Sequence, residues 1–318
     1  MDNDNKLVAS PDLPIDIQVN HRLVDLGRLV SLPPTTFRLL SLLMSDNTSA
    51  KELQAVIEQD PGLAAKVISL SNSPVYAVRD PVSTIDRAII IVGFKELEIL
   101  ALGIGLTENF DLKKVPGGFD GRKIWLHCLA VSWIARELAL TVKPREARQA
   151  SEAMIGGLLH ELGTIILVSK FPVHFQQLLD LVSSGRDYRE AETTLSLRHE
   201  AIGYQLSRNW GLPEVFQQII LYHHFPKASK SYERPVSIIS LADNLAHRSG
   251  YGLGLEERLE IDLPYVLKCL NLTVDQLQTF VKNVIASMAR IQPLWDMVLN
   301  GESKKPVPKG SGLSSLLS

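Results

Sequence analysis

Cysteine is scarce: the 318 residues hold two, Cys128 and Cys269. A single pair cannot make a disulfide scaffold. Both thiols stand in apolar segments of helical period and read as small core residues of a reducing compartment. Net charge is nearly absent. Lys plus Arg is 33 and Asp plus Glu is 35, a formal −2, so the chain lacks the broad basic field of a protein that holds nucleic acid or an anionic membrane. Long apolar runs are missing too. Ile99 to Leu106 is typical of the longest, far short of the ~20 residues of a spanning helix. The start, Met1-Asp2-Asn3-Asp4-Asn5, is acidic and polar, without a signal-peptide pattern. The expected address is the cytoplasm, with no membrane and no direct nucleic-acid contact.

No stretch alternates with period two for long, and no fixed-period repeat is found. Hydrophobic residues make up 45% and charged residues 21%, the profile of a globular chain. At this length roughly 75% of the unfolded surface is buried on folding, so no metal is needed merely to hold the chain together.

Helix punctuation is dense. Ser49 with Glu52 makes a capping box, Asp60-Pro61 opens a second helix, Ser83-Thr84-Ile85-Asp86 resembles a third start, and Gly93 closes it. Further helices are expected at about 121–141, 146–170, 188–210, 213–224 and 235–248, with a last one opening at Thr273, boxed by Gln276. The expectation is all-α. Val115-Pro116-Gly117-Gly118 is the clearest internal break. The organisation read from it is a tail at 1–20, an N-terminal helical half at 21–118, a second half at 119–250, C-terminal helices at 251–299 and a disordered Pro/Gly/Ser/Lys-rich tail at 300–318.

Six of the eight histidines lie between positions 127 and 224. His127 sits in Ile124-Trp125-Leu126-His127-Cys128-Leu129, where its plain reading is a core imidazole bonded to a carbonyl. Glu161 follows His160 inside Gly156-Gly157-Leu158-Leu159-His160-Glu161-Leu162-Gly163. A carboxylate in such company must be paired, protonated or bound to a cation. His199 shares a helical face with Leu195 and Leu206, His223-His224 ends a helix, and Asp243 lies on the largely apolar helix around Ile238 to Ala246. His21, His174 and His247 read as surface or packing residues. The candidate set is His127, His160, Glu161, His199, His223, His224 and Asp243. Imidazole with carboxylate suits Fe, Mn, Zn, Co or Ni rather than Ca, as one ion or a close pair. A bound water would then be a nucleophile toward phosphoesters.

Between residues 28 and 247 a series of further motifs runs in order: Leu32-Pro33-Pro34, Asp60-Pro61-Gly62-Leu63-Ala64, Leu70-Ser71-Asn72-Ser73-Pro74, Ile85-Asp86-Arg87-Ala88-Ile89 and Val92-Gly93-Phe94-Lys95-Glu96-Leu97. In the second half they are Gly157 through Gly163, His199-Glu200-Ala201-Ile202-Gly203, Trp210-Gly211-Leu212-Pro213-Glu214 and His223-His224. In these motifs the chain resembles the HDOD proteins, a bacterial branch related to the HD superfamily of metal-dependent phosphohydrolases. The resemblance implies a multi-helix HD-like fold and a role in bacterial signal transduction through a protein partner; it does not imply catalysis. In catalytic HD relatives the first His, the His-Asp pair and the later Asp hold metal. Here these fall on His127, on His160 with Glu161, and on Asp243, while His199, His223 and His224 look like the added ligands of two-metal relatives. Two departures count against turnover. Glu161 stands where Asp is expected, and Thr164 where such relatives often place a phosphate-meeting Lys.

Three readings follow. The first is a signalling HDOD module that keeps a metal- or ligand-binding pocket. The second is a metal-dependent phosphohydrolase acting on a nucleotide or cyclic dinucleotide. In the third, the seven residues are only a buried polar network.

Overall fold

The caps expected from sequence set the helix starts. In a computed structural model that describes residues 32–300 apart from 46–47, 111, 113–114, 144–146 and 256–260, every regular element among the described residues is helical. The expected N-terminal tail, nearly all of the C-terminal one and His21 lie outside the described residues. Helices α1 (Pro34–Leu43), α2 (Ala50–Glu58), α3 (Pro61–Ser71), α4 (Ile85–Val92) and α5 (Phe94–Asn109) come first. Ser49 and Glu52 close their box at α2, Asp60 accepts from the Leu63 amide at α3, and Gly93 follows α4 with φ +94°. Only a residue without Cβ takes that angle easily. Thr84 precedes α4 without capping it through its side chain.

After Pro116–Gly118 come α6 (Arg122–Thr141), α7 (Ala147–Leu159), α8 (Leu162–Lys170), α9 (Pro172–Ser183), α10 (Tyr188–Thr194), α11 (His199–Asn209), α12 (Glu214–Tyr222), α13 (Glu233–Ala246), α14 (Leu263–Leu270) and α15 (Val274–Asn300). The continuous helices expected at 146–170 and 188–210 are each broken. The first turns at His160 and Glu161. The second stops at Leu195, where Ser196 takes φ +55°, and restarts at His199. Leu195 therefore lies outside the helix of His199, and the shared face expected for them does not exist. Hydrophobic period alone cannot see such breaks, because both flanks keep helical spacing. Phe171-Pro172 ends α8 and starts α9, since Pro suits a first turn. The pattern assigns no helix to α1, α9 or α14. The last helix opens on the Thr273–Gln276 box as expected, and runs through Pro293 to Asn300 because Ile291 just before the proline and Leu294 and Trp295 just after it are buried.

One apolar cluster threads the described helices. Helix α6 lies at its centre, packed by α7, α13 and α15, while α8 crosses α11 and α12 joins α7 and α11. Two crossings are set by glycine. A Cβ on Gly157 would lie 2.5 Å from the Ser132 Cα of α6, and one on Gly163 would lie 1.9 Å from the His199 carbonyl oxygen of α11. Backbones meet where His160 and Glu161 sit between those contacts. Segments Arg122–Thr141 and Arg148–Lys170 are long and apolar enough to cross a membrane by length and composition; most of each is buried inside the protein.

Candidate metal centre

All seven candidate residues converge. His127 comes from α6, His160 and Glu161 from the α7–α8 turn, His199 from the first position of α11, His223 and His224 from just after α12, and Asp243 from α13. All are buried.

The outer bonds of four histidines decide which way their lone pairs face. The Nδ1 of His127 donates to the Tyr251 carbonyl at 2.8 Å, that of His160 to the Gly157 carbonyl at 2.8 Å, and that of His223 to the Ile220 carbonyl at 2.9 Å. A carbonyl only accepts, so each Nδ1 carries the proton. Glu192 Oε1 does the same for His199, accepting from its Nδ1 at 2.7 Å and from its backbone amide at 3.1 Å. Four Nε2 atoms are left pointing inward. His127 Nε2 is 3.1 Å from His160 Nε2, and His199 Nε2 is 3.3 Å from the Nε2 of both His223 and His224. Lone pairs at such range repel unless a proton or a cation lies among them.

Two carboxylates stand against these nitrogens. Glu161 Oε1 is 3.9 Å from His160 Nε2, 3.8 Å from His199 Nε2 and 4.0 Å from His223 Nε2, while its Oε2 accepts from the Thr164 hydroxyl at 2.5 Å. Thr164, read from sequence as a lost phosphate contact, orients this carboxylate. Asp243 Oδ1 is 3.2 Å from His127 Nε2, but off the N–H direction, and among the described residues neither of its oxygens receives an aligned hydrogen bond. An orphaned buried carboxylate beside imidazole nitrogens is the chemistry of a cation site.

Charge follows the same layout. Burial raises the Glu161 carboxyl, but His199, His160, His223 and His127 outweigh it and bring it down to about 2. Asp243 is likewise lowered, against burial, by His127 and His247. Burial pushes His160 down to about 3, and lowers His223 and His224. His127 and His199 are raised despite burial, the first by Asp243 and Glu161, the second by Glu192, Glu200 and Glu161. These shifts favour the protonated form of the two rings in the metal-free protein, and a cation bound at Nε2 would have to displace any proton held there.

Sequence reasoning missed several participants. Glu192 lies seven residues before His199, and only the break after α10 folds it back. Glu200 is buried and held by Arg198 at 2.9 Å and Arg189 at 3.0 Å. His247, read as surface or packing, has its Nε2 3.5 Å from Asp243 Oδ1. Its spacing of four from Asp243 was a usable signal. His174 meets Phe171 edge-on and stays out of the centre. Ligand atoms within 4.8 Å of one another group as Glu161, His199, His223 and His224; as His127, His160 and Glu161; and as His127, Asp243 and His247. For two donors each ~2.1 Å from one ion, tetrahedral or octahedral angles give separations of ~3.0–3.4 Å. The nitrogen–nitrogen distances and that from His127 to Asp243, 3.1–3.3 Å, fall in this range; His247 to Asp243 at 3.5 Å lies just beyond it, and the contacts of Asp243 with His160 and His224 and of Glu161 with its three imidazoles are longer, at 3.8–4.0 Å. The residues present can hold a metal.

Residues 29–226 match the HDOD domain family. The chain belongs to that family. This HDOD protein has its Asp243 and His247 beyond the matched segment. It is similar in fold to the crystal structure of a candidate signal transduction protein from Marinobacter aquaeolei VT8, at 25% identity and TM-score 0.74, over 92% of this chain and 68% of that one. An HDOD domain protein of unknown function from Geobacter sulfurreducens matches at 22% identity and TM-score 0.66, over 89% of this chain and 98% of that one. An uncharacterized protein of Treponema pallidum (strain Nichols) is 23% identical over 247 residues, 75% of this chain. The HDOD chain spans about half, 47%, of that relative's length.

Proposed function

We propose that this HDOD protein is a cytoplasmic bacterial signalling module that contacts a protein partner and encloses a transition-metal centre. Its ligands are His127, His160, Glu161, His199, His223, His224 and Asp243, holding one or two ions of Fe, Mn, Zn, Co or Ni. The observation that carries the reading is the outward-tied Nδ1 set: four imidazoles send Nδ1–H to Tyr251, Gly157, Ile220 and Glu192 and turn Nε2 inward around two buried carboxylates. Metal-binding histidines are commonly oriented by such outer hydrogen bonds. Burial of the donors argues for sensing or holding an ion rather than for turnover, since a substrate phosphate needs a route to it. The name of the Marinobacter relative supports the signalling half of the reading.

A second reading, phosphohydrolysis of a nucleotide or cyclic dinucleotide, draws support from Glu161. Its Oε1 lies 3.8–4.0 Å from three Nε2 atoms that belong to two different donor groups. A carboxylate so placed suits a bridge between two ions, the arrangement that activates water on a phosphoester.

One experiment separates the two. Elemental analysis of untagged protein purified without chelator should find one or two equivalents of transition metal, lost in His160→Ala and Asp243→Ala. The loaded protein should leave a phosphoester panel intact. Turnover that vanishes in both variants would establish the second reading. Absence of metal after reconstitution with Mn, Fe and Zn under reducing conditions would sink both and leave a buried polar network.

A further inference from the structure

Histidine 247 stands apart from the other inward-facing imidazoles. It begins a π-helical turn, His247–Tyr251, that follows α13 and ends the regular helix one turn past Asp243. Its side chain is 12% exposed, against 0–2% for the other histidines of the cluster and both carboxylates. Its Nε2 is 3.5 Å from Asp243 Oδ1 and its ring stands edge-on to His127 at 5.0 Å between centroids. It thus shares a donor group with His127 and Asp243 while facing the partly accessible side of the set.

Three features hold it there. Gly252 leaves the space the ring occupies, since a Cβ at that position would lie 2.7 Å from His247 Nδ1. Gly250, at φ +86°, lets the chain reverse within the turn. Tyr251, whose carbonyl receives the His127 proton, is pinned from behind by α15: its hydroxyl donates to Gln292 Oε1 at 3.0 Å and its ring meets Trp295 edge-on at 6.0 Å. The C-terminal helix, outside the matched family segment, therefore braces the turn that presents His247.

We propose that His247 is a further metal ligand that occupies the coordination position on the accessible side of the His127–Asp243 group, closing the centre to exogenous ligands. The inference rests on the metal-centre reading above. An open position is what distinguishes a catalytic site from a closed one, so a protein imidazole there accounts for a centre that holds an ion without offering it to phosphate.

The test uses Co(II) as metal and azide as exogenous ligand, on the full chain. In wild-type protein the visible Co(II) bands should be insensitive to azide. In His247→Ala the cobalt should remain bound, its bands should shift, and azide should produce a further saturable change. Gly252→Ala, which leaves His247 in the chain but fills the space of its ring, should reproduce both effects and guards against misfolding of the first variant. Identical cobalt spectra in the three proteins, or an azide response already present in wild type, would overturn the role of His247 and leave the metal centre standing. A wild-type protein that takes up no cobalt would instead remove the centre itself, and this inference with it.

Discussion

Glu192 illustrates how much of the centre depends on residues that would never touch an ion. Its carboxylate accepts both from the His199 ring and from the His199 backbone, so it fixes ring orientation and tautomer together. Loss of such outer partners typically lowers metal affinity about 10–100-fold. Glu192→Ala should reach that range by competition with a chromophoric chelator, and Glu192→Gln, which keeps an accepting oxygen, should recover part of it. Equal affinity in Ala and wild type would show that His199 needs no such partner. Asp243 differs, because no donor among the described residues makes an aligned hydrogen bond to its oxygens. The seven candidate residues were legible in the sequence as polar side chains in apolar periodic surroundings, and the fold brings them together. Glu192 and Glu200 were not, because their roles come from a turn at Ser196 that no periodicity announces.

At the scale of elements, the centre exists where glycine lets helices touch. Gly163 places α8 against the first residue of α11, and the Cβ of an alanine there would meet the His199 carbonyl at 1.9 Å and the Gly203 amide nitrogen at 2.9 Å. Backbone cannot yield as a flexible side chain can. Gly163→Ala should therefore destabilise the fold by about 1–3 kcal/mol or more through overpacking, and should also displace His199 enough to weaken metal uptake. Thermal unfolding with and without metal checks both parts, and an unchanged midpoint would refute the close approach. By contrast, a Cβ added at Gly185 or Gly211 would meet nothing within 4 Å, and their positive φ values mark them as turn residues. The capped starts at Ser49, Asp60 and Thr273 were readable because capping is local chemistry. The breaks at 160–161 and 195–198 were not, because they answer to helix-on-helix contacts.

Across the whole molecule, burying so many titratable groups makes the metal-free fold acid-sensitive. His160, His223, His224 and His247 are lowered from their ordinary 6.5, chiefly by burial. Below that pH the unfolded chain binds protons at these positions and the folded chain does not, so stability falls with pH. His127 and His199, being raised, act oppositely: their stabilisation is fully present below 6.5 and is lost as pH rises through their folded values. Among the imidazoles four depressed groups outnumber these two, while the raised carboxyls of Glu192 and Glu98 also act in the opposite sense at lower pH. Glu161, lowered from 4.5 to about 2, adds stability above 4.5 that is lost as pH falls further. The urea midpoint of metal-free protein should thus drop between pH 7 and 5, and a rise would contradict the balance. Helix content, cap positions and the apolar faces are properties of nearest neighbours along the chain, which is why composition and spacing alone specify an all-α protein with its chemistry in the second half. Which of those histidines face one another, which carboxylate backs them, and that His247 lies beside Asp243 depend on contacts between residues as distant as His127 and Tyr251. Such contacts arise only when α6, α8, α11, α13 and the C-terminal helix are packed together, because the orienting groups are backbone carbonyls and glycine gaps that leave no mark in a pattern of side chains.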